Sequence, residues 1–201
     1  ELRALAQRRT CGGNAVNSLN LLAQLGHSCG WVGTLADDAA SDLILSHLAR
    51  RGIDASHATR VPGGSTPTSC IAVSRANGSR TIIHYRDLPE LDAESFGAVP
   101  LEGLDWVHFE GRNPVETLSM IRRVRAEAPA AGLSLELEKS RPGVDALLEG
   151  PRVILAGRGY AQARGFTDAG RFLDDLAERT GAILCVVAWG AEGAFYRERG
   201  G

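Results

Sequence analysis

The spacing of apolar residues changes period several times along this chain, and each change predicts an element. After the glycine pair Gly12-Gly13, apolar residues fall at Val16, Leu19, Leu22 and Ala23. That spacing is one helical face, and Gly26 supplies a stop. The run Cys29–Leu35 reads as a strand. The segment from Asp37 to Ile53 reads as a helix, with an acidic start, apolar Leu43, Ile44 and Leu48, and Gly52 at its exit. Two β-rich arms span Thr68–Arg86 around Asn77-Gly78, a pair that signals a type I′ hairpin turn.

From Asp105 onward, strand and helix patterns alternate. Strands are predicted at Asp105–Phe109 (buried), Leu133–Glu138, Arg152–Ala156 and Ala182–Trp189. Helices are predicted at Asn113–Ala128, near Val144–Leu148 and at Asp168–Thr180. Asn113, Pro114 and Glu116 read as N-cap, N1 and N3 of an amide capping box. Such alternation implies an α/β fold with a parallel sheet and helices on its faces, and the hairpin forms a small appendage beside it.

In an open parallel sheet, ligands bind beyond the carboxyl ends of the strands. Arg112 follows the first predicted strand of this region, Glu138-Lys139 the second and Arg158 the third. Trp189-Gly190-Ala191-Glu192-Gly193 follows the fourth. Cationic side chains suit phosphate, and glycines let a ligand approach backbone amides, so this edge fits a nucleotide or another phosphorylated ligand. Glu138 reads as a surface carboxylate, with a place in the water shell of a magnesium ion as its alternative. At the other end, Asn14, Asn17 and Asn20 occupy the first two turns of a helix, where asparagine is a mediocre choice. One can serve as an N-cap. Asn14 and Asn17, three residues apart, share a face, and an amide offers both a donor and an acceptor to a hydroxyl. The alternative is that Asn14 caps and Asn17 fills a turn.

Composition narrows the choices. The chain has 201 residues, 44% of them hydrophobic, and a formal charge of −2, which suits one sizeable α/β core. There is no basic stripe for nucleic acid and no apolar run of membrane-spanning length. Cys11, Cys29, Cys70 and Cys185 are far apart and read as buried free thiols of a cytosolic protein rather than a zinc site. His27, His47, His57, His84 and His108 show no metal-ligand spacing, and His84 and His108 read as packed or surface residues. No G-x-G-x-x-G follows a strand, and no P-loop or G-x-S-x-G elbow is present.

The segments GGNAVN, LGHSCGWVGTLADD, GSTPTSCIAVSRANGSRTIIHYR, DWVHFEGRN and AWGAEGA, in this order, resemble the ribokinase-like (PfkB-type) carbohydrate kinases. ANGSRTI and HFEGRN resemble the ketohexose-phosphorylating branch in particular. The resemblance runs over nearly the whole chain. It implies a ribokinase-like fold with a parallel-rich central sheet, helices on both faces and a β-hairpin lid contributed by about residues 66–86. It implies an ATP-dependent kinase, working with Mg²⁺, that phosphorylates the C1 hydroxyl of fructose or a similar ketohexose. Another member of the family, acting on ribose, a nucleoside or a keto-deoxy acid, is the first alternative. A non-catalytic sugar- or nucleotide-binding module is the second.

By the same resemblance Gly13, Asn14 and Asn17 bind sugar, and Arg80 is the lid arginine that reaches the nucleotide phosphates. Arg112, Arg158, Gly190, Ala191, Glu192 and Gly193 line the nucleotide. Where relatives carry an Asn-x-x-Glu magnesium motif this chain has Arg158-Gly159-Tyr160-Ala161, and no metal ligand is assigned. The family's sugar-binding aspartate and its Gly-Ala-Gly-Asp catalytic element have no counterpart. No catalytic residue is therefore assigned, the sequence reads as an internal part of a longer kinase, and by itself it is expected not to phosphorylate sugar. A cytoplasmic homodimer, clasped lid to lid, is the expected state of the intact enzyme.

Overall fold

The computed structural model describes residues 3–200. The chain divides into two compact units, Glu1–Leu91 and Asp92–Gly201.

In the first unit, helix α1 (Asn14–Gln24) begins at Gly13, whose φ of 102° lies in the left-handed region that favours glycine. Gly13, and no asparagine, occupies the N-cap, and no side chain caps the helix. Val16 of α1 packs with Leu48 and Ile53 in the unit's small core, joined by the partly buried Leu19, Trp31 and Ile44. The strand predicted over Cys29–Leu35 is broken into β1 (Cys29–Gly30) and β2 (Thr34–Ala36). The two halves take different partners, Ile53–Asp54 for β1 and Thr59–Val61 for β2. The Trp31 ring folds over Gly33, where a Cβ would lie 2.5 Å from the ring. Helix α2 (Ala39–Ala49) follows, with Asp38 as a true N-cap accepting from Ser41 N at 2.8 Å. Strands β3 (Ile53–Asp54) and β4 (Thr59–Val61) then pair in parallel with β1 and β2 respectively.

The hairpin is β5 (Thr68–Val73) and β6 (Arg80–Tyr85), antiparallel in a register running from Thr68–Tyr85 to Val73–Arg80. Its connection is not the two-residue type I′ turn that Asn77-Gly78 suggests. Gly78 N donates to Ser74 O, and Ser74 N donates to Ser79 O, so four residues make the turn. Only Gly78 among them takes a positive φ, 69°. Asn77 instead accepts Ser79 N through its side chain. Every residue of both strands is exposed, Cys70 among them, against the expectation of a buried thiol. Cys11 and Cys29 are half-buried, and only Cys185 is buried.

The second unit opens with the short helix α3 (Ala93–Gly97) and strand β7 (Trp106–Glu110). Helix α4 (Pro114–Glu127) and strand β8 (Gly132–Leu137) come next, then a 3₁₀ turn at Val144–Leu148 and strand β9 (Val153–Gly157). Helices α5 (Arg158–Ala163) and α6 (Ala169–Arg179) lead to β10 (Leu184–Ala188), a 3₁₀ turn at Gly190–Glu192, and β11 (Ala194–Glu198). The sheet order is β11-β10-β9-β8-β7, with β7 to β10 parallel and β11 antiparallel to β10.

Period-2 alternation splits this sheet, with Gly132 and Ser134 of β8, buried on the other face, as exceptions. Phe109, Leu133, Leu135, Leu137, Ile154, Ala156, Cys185 and Val187 are all at most 7% exposed. Phe96 of α3 meets Phe109 edge-on on this face, with ring centroids 5.6 Å apart. The alternate residues are more open: Trp106, in the strand expected to be buried, is 50% exposed on edge strand β7, and Leu155 is 37% exposed. The capping box predicted at Asn113 does not form. Asn113 sits in the left-handed region at φ 39° and makes no side-chain cap, while Glu116 turns away to accept Ala93 N at 2.9 Å. No helix among the described residues is long and apolar enough to cross a membrane.

Candidate functional site

In the first unit, Asn14 and Asn17 occupy the first turn of α1, and both are exposed. Asn17 N donates to Gly13 O at 3.0 Å, so its backbone is spent on the helix and its amide side chain faces outward. A Cβ built at Gly12 or Gly13 would meet nothing within 4 Å, so the approach to this turn is open. Asn20 has a different environment. Its Nδ2 lies 3.2 Å from His47 Nε2 on α2, and its buried Oδ1 has no partner among the described residues. The three asparagines thus separate into two outward amides and one that ties α1 to α2. Arg80 opens β6 near the hairpin tip, opposite Val73, and is exposed. It makes no ion pair among the described residues. It shares a hairpin face with Ile71, Ile82 and His84, and His84 Nδ1 lies 2.9 Å from Ser69 Oγ.

In the second unit, the carboxyl edge of the parallel strands gathers the predicted nucleotide-side residues in two groups. Arg158 begins α5 directly after β9. Its guanidinium lies 3.5 Å from Glu192 Oε1 and 5.4 Å from the Trp189 ring centroid. Gly190, Ala191 and Glu192 form the 3₁₀ turn beyond β10, and Gly193 closes it with φ 94°. A Cβ at Gly193 would meet nothing within 4 Å, so this turn leaves its backbone open to a ligand. The structure therefore brings Arg158 together with the Gly190–Gly193 turn.

Arg112 stands apart. It follows β7, two strands away from β9, a lateral separation of roughly 10 Å. Its Nε donates to Glu110 Oε2 at 2.5 Å, and its carbonyl accepts Thr117 Oγ1. Between the two groups, Gly157 and Gly159 pack on the end of β8, where a Cβ at either would lie 3.5 Å from Glu138 O. That is an ordinary contact, so packing does not by itself require glycine at either position.

Two polar clusters escaped the reading of the chain. Along β7 and β8, Trp106 Nε1 donates to Ser134 Oγ at 2.8 Å, and His108 Nδ1 lies 2.8 Å from the same oxygen. Burial pushes the His108 pKa down, and the nearby Glu110 carboxylate only partly offsets this. The i, i+2 spacing of Trp106, His108 and Glu110 was the available signal. The second cluster centres on Asp145, which accepts from Arg164 at 2.6 Å, Arg179 at 3.2 Å and Tyr160 Oη at 3.2 Å. Burial alone would raise its pKa, but the hydrogen bond from Arg164 and the charges of both arginines bring it below the ordinary value. Sequence separations of 15 to 34 residues hid this hub. Among the described residues no three His, Cys, Asp or Glu side chains group to hold a metal ion.

An open-sheet α/β unit with a basic, glycine-rich carboxyl edge, preceded by a unit bearing a Gly-Gly-Asn helix and a free hairpin, defines a recognised class. The profile of the pfkB family carbohydrate kinases matches residues 3–156, and the chain belongs to that family. It is 38% identical to the ketohexokinase of Mus musculus, over 96% of this chain and 67% of that protein. The fold is similar to that of fructokinase from Xylella fastidiosa, with a TM-score of 0.77 at 20% identity over 99% of this chain and 69% of that one. Ribokinase from Thermotoga maritima gives a TM-score of 0.75 at 18% identity over 100% of this chain and 67% of that one. The chain thus spans about two thirds of the length of these relatives.

Proposed function

We propose that this chain forms the sugar- and nucleotide-binding core of an ATP-dependent kinase of the ketohexokinase type, which transfers the γ-phosphoryl group to the C1 hydroxyl of fructose or a similar ketohexose. The identity with a ketohexokinase, extending over nearly the whole chain, is the observation that carries this reading. In it, the outward amides of Asn14 and Asn17, beside the open Gly12-Gly13 approach, accept and donate to sugar hydroxyls. Arg158 and the Gly190–Gly193 turn receive the nucleotide, and Arg80 and Arg112 offset phosphate charge. Such electrostatic and positioning contributions are what phosphoryl transfer asks of a protein.

ATP fits the second unit's edge, where an exposed guanidinium adjoins a glycine turn with open backbone. A protein cage for Mg²⁺ is a poor fit, since no three His, Cys, Asp or Glu side chains cluster among the described residues, and the ion is assigned to the nucleotide's own phosphates. No residue of this chain is assigned as the base, so activation of the hydroxyl is left to groups outside this set. A cytoplasmic homodimer through the exposed hairpins completes the reading.

Calorimetric titration of the purified chain tests it. Fructose is expected to bind in preference to ribose, a nucleoside and a keto-deoxy acid. Asn17→Ala should weaken fructose about threefold to tenfold, the worth of one neutral hydrogen bond, and leave a non-hydrolysable ATP analogue unaffected. Arg158→Ala should do the reverse. Preference for ribose or a nucleoside would move the chain to another branch of the family.

A further inference from the structure

The hairpin β5–β6 has no packing on either face, yet its root is pinned with unusual completeness. Ser65 and Thr66, the two residues before Pro67, each give a backbone N–H and a hydroxyl to a different aspartate. Ser65 N and Oγ donate to Asp87 Oδ1 and Oδ2, both at 2.9 Å. Thr66 N and Oγ1 donate to Asp38 Oδ2 and Oδ1, at 2.9 and 2.6 Å. Asp38 is also the N-cap of α2, so it welds the entry strand to that helix. Asp87 follows the exit strand, so it welds exit to entry, and Tyr85 Oη at the ladder's first pair reaches it at 3.2 Å.

We propose that Asp38 and Asp87 are positioning residues that set the direction in which the hairpin, and with it Arg80, projects. The six-pair ladder makes the hairpin a stiff arm internally. Its freedom therefore concentrates where the two strands leave the unit, at Ser65–Thr66 and Arg86–Leu88. Pro67 fixes one φ there. Gly64 is wedged beneath Leu88, where a Cβ would lie 2.3 Å from Leu88 Cδ2. The remaining torsions are held by the two carboxylates and, on the exit side, by Arg86, whose guanidinium donates to Leu88 O at 3.0 Å and to Glu90 Oε2 at 2.8 Å. The pins differ in kind. Asp38 binds an element of the unit's body, whereas Asp87 binds only the segment leading into β5 and Tyr85 of β6, and its hydrogen bonds lie in the open where water competes for them. Loss of the Asp87 pin frees the arm to swing about the Asp38 pin with its ladder intact. What the swing does for phosphate contact rests on the kinase reading; the pivot itself does not.

The test is a distance measurement within the first unit. Nitroxide labels are attached through p-acetylphenylalanine at Ala49 on α2 and Ala76 in the hairpin turn, both exposed, in the full chain, and read by pulsed electron resonance. The unsubstituted chain is expected to give a single narrow distribution. Asp87→Ala should broaden it, with about threefold to tenfold faster hydrogen exchange at Ser65 and unchanged exchange at the ladder amides. Asp38→Ala would also strip the cap from α2, so Thr66→Val, which keeps that cap and removes the hydroxyl arm together with its 2.8 Å bond to the buried Ser41 Oγ, carries the test at that end and should broaden the distribution less. If Asp87→Ala lowers the melting temperature but leaves the distribution superimposable on wild type, the aspartate is merely structural and the proposal fails. It also fails if the ladder amides lose protection, because the hairpin then unravels instead of swinging. No nucleotide or sugar enters the measurement, so failure of the kinase reading leaves its outcome intact.

Discussion

The hairpin β5–β6 and the five-stranded sheet use the same alphabet of β-branched and aliphatic residues at period 2, and arrive at opposite ends of the burial scale. In the sheet, the alternation sorts residues onto a covered face, where Leu135, Ile154 and Val187 are fully buried. In the hairpin, the same alternation puts Ile71 and Ile82 on one face and Ile83 and Tyr85 on the other, and all four are more than half exposed. Apolar periodicity therefore reports that a surface is suited to burial. It does not report that this chain buries it. The sheet has helices to cover it, while the hairpin has only its ladder and the polar pins at its root. The candidate site residues divide along the same line. Arg158 sits at the rim of a packed sheet with an aromatic ring and a carboxylate beside it. Arg80 rides on an arm with no such surroundings.

The strongest way to break this contrast is to empty matched positions. Leu135→Ala in β8 should cost about 2–5 kcal/mol, because a fully buried leucine leaves a cavity that its neighbours cannot close. Ile83→Ala, at a residue 70% exposed, should change stability by less than about 0.5 kcal/mol. Urea unfolding of the two variants measures both, and a hairpin variant as costly as the sheet variant would show that the arm packs on something in solution. Glycines sharpen the same point at a smaller scale. A Cβ at Gly111 would lie 2.8 Å from the Glu136 carbonyl oxygen, a backbone atom that cannot step aside, so Gly111→Ala should cost about 1–3 kcal/mol by overpacking. At Gly78 nothing lies within 4 Å, and only the positive φ of 69° resists a side chain. Gly78→Ala should therefore cost about 1–2 kcal/mol, the left-handed penalty alone.

These differences also explain which parts of the molecule could be read from the chain. The four parallel strands after Asp105, helices α4 and α6 and the gathering of Arg158 with Gly190–Gly193 were legible, because period and strand-end position determine them, whereas the six-residue α5 that begins at Arg158 was not. The break within Cys29–Leu35 was not legible either, because it is set by the separate partners of its two halves, β3 and β4. Asn77-Gly78 correctly marked a hairpin but not its turn, since a four-residue loop satisfies the same residues with one positive φ instead of two. Asn113 looked like a cap because its type fits. Its backbone left the cap conformation once Glu116 found Ala93 N, a partner 23 residues away. The Asp145 hub was invisible for the same reason, since its partners are remote in sequence, whereas β11 is exposed along its whole length and shows no burial alternation although it pairs with the preceding strand β10. Among the site residues, Gly13, Asn14, Asn17 and Arg80 were reached through resemblance to a family rather than through period. All four are exposed in the structure.

If the hairpin's apolar faces are meant for a second copy, association should depend on them while stability does not. Sedimentation of the chain across concentration should show self-association, and Ile83→Glu should weaken it about tenfold or more by burying a charge at the contact. An unchanged monomer–dimer balance in that variant would exclude this face.

The smallest expected effect separates the two regions by pH. His108, in the sheet, has its pKa pushed down by burial, so the folded state binds its proton less readily than the unfolded chain. Its contribution to stability is fully present above the unfolded value of about 6.5, and is lost as pH falls through that value toward the lower folded one. The geometry supplies the reason. The Ser134 hydroxyl already accepts Trp106 Nε1–H and can donate to a neutral His108 Nδ1, whereas a protonated ring would present a second donor to the same nearly buried oxygen. At the hairpin root, Asp38 is held down to about 2 by the hydroxyl of Thr66 first, then by the backbone N–H groups of Thr66 and Ser41. Asp87 is lowered in the same direction, chiefly by Ser65. Both contributions are complete above about pH 4, the unfolded aspartate value, and fade only below it. Between pH 7 and 5 the sheet should therefore weaken slightly while the root stays pinned. Hydrogen exchange corrected for intrinsic rates should show protection falling at β7 and β8 but not at Ser65 and Thr66. His108→Gln should flatten the sheet's response in that window and leave the root's response below pH 4 untouched. Parallel loss at both places in the unsubstituted chain would mean that the two regions open as one unit, and that the contrast drawn from burial does not extend to their stability.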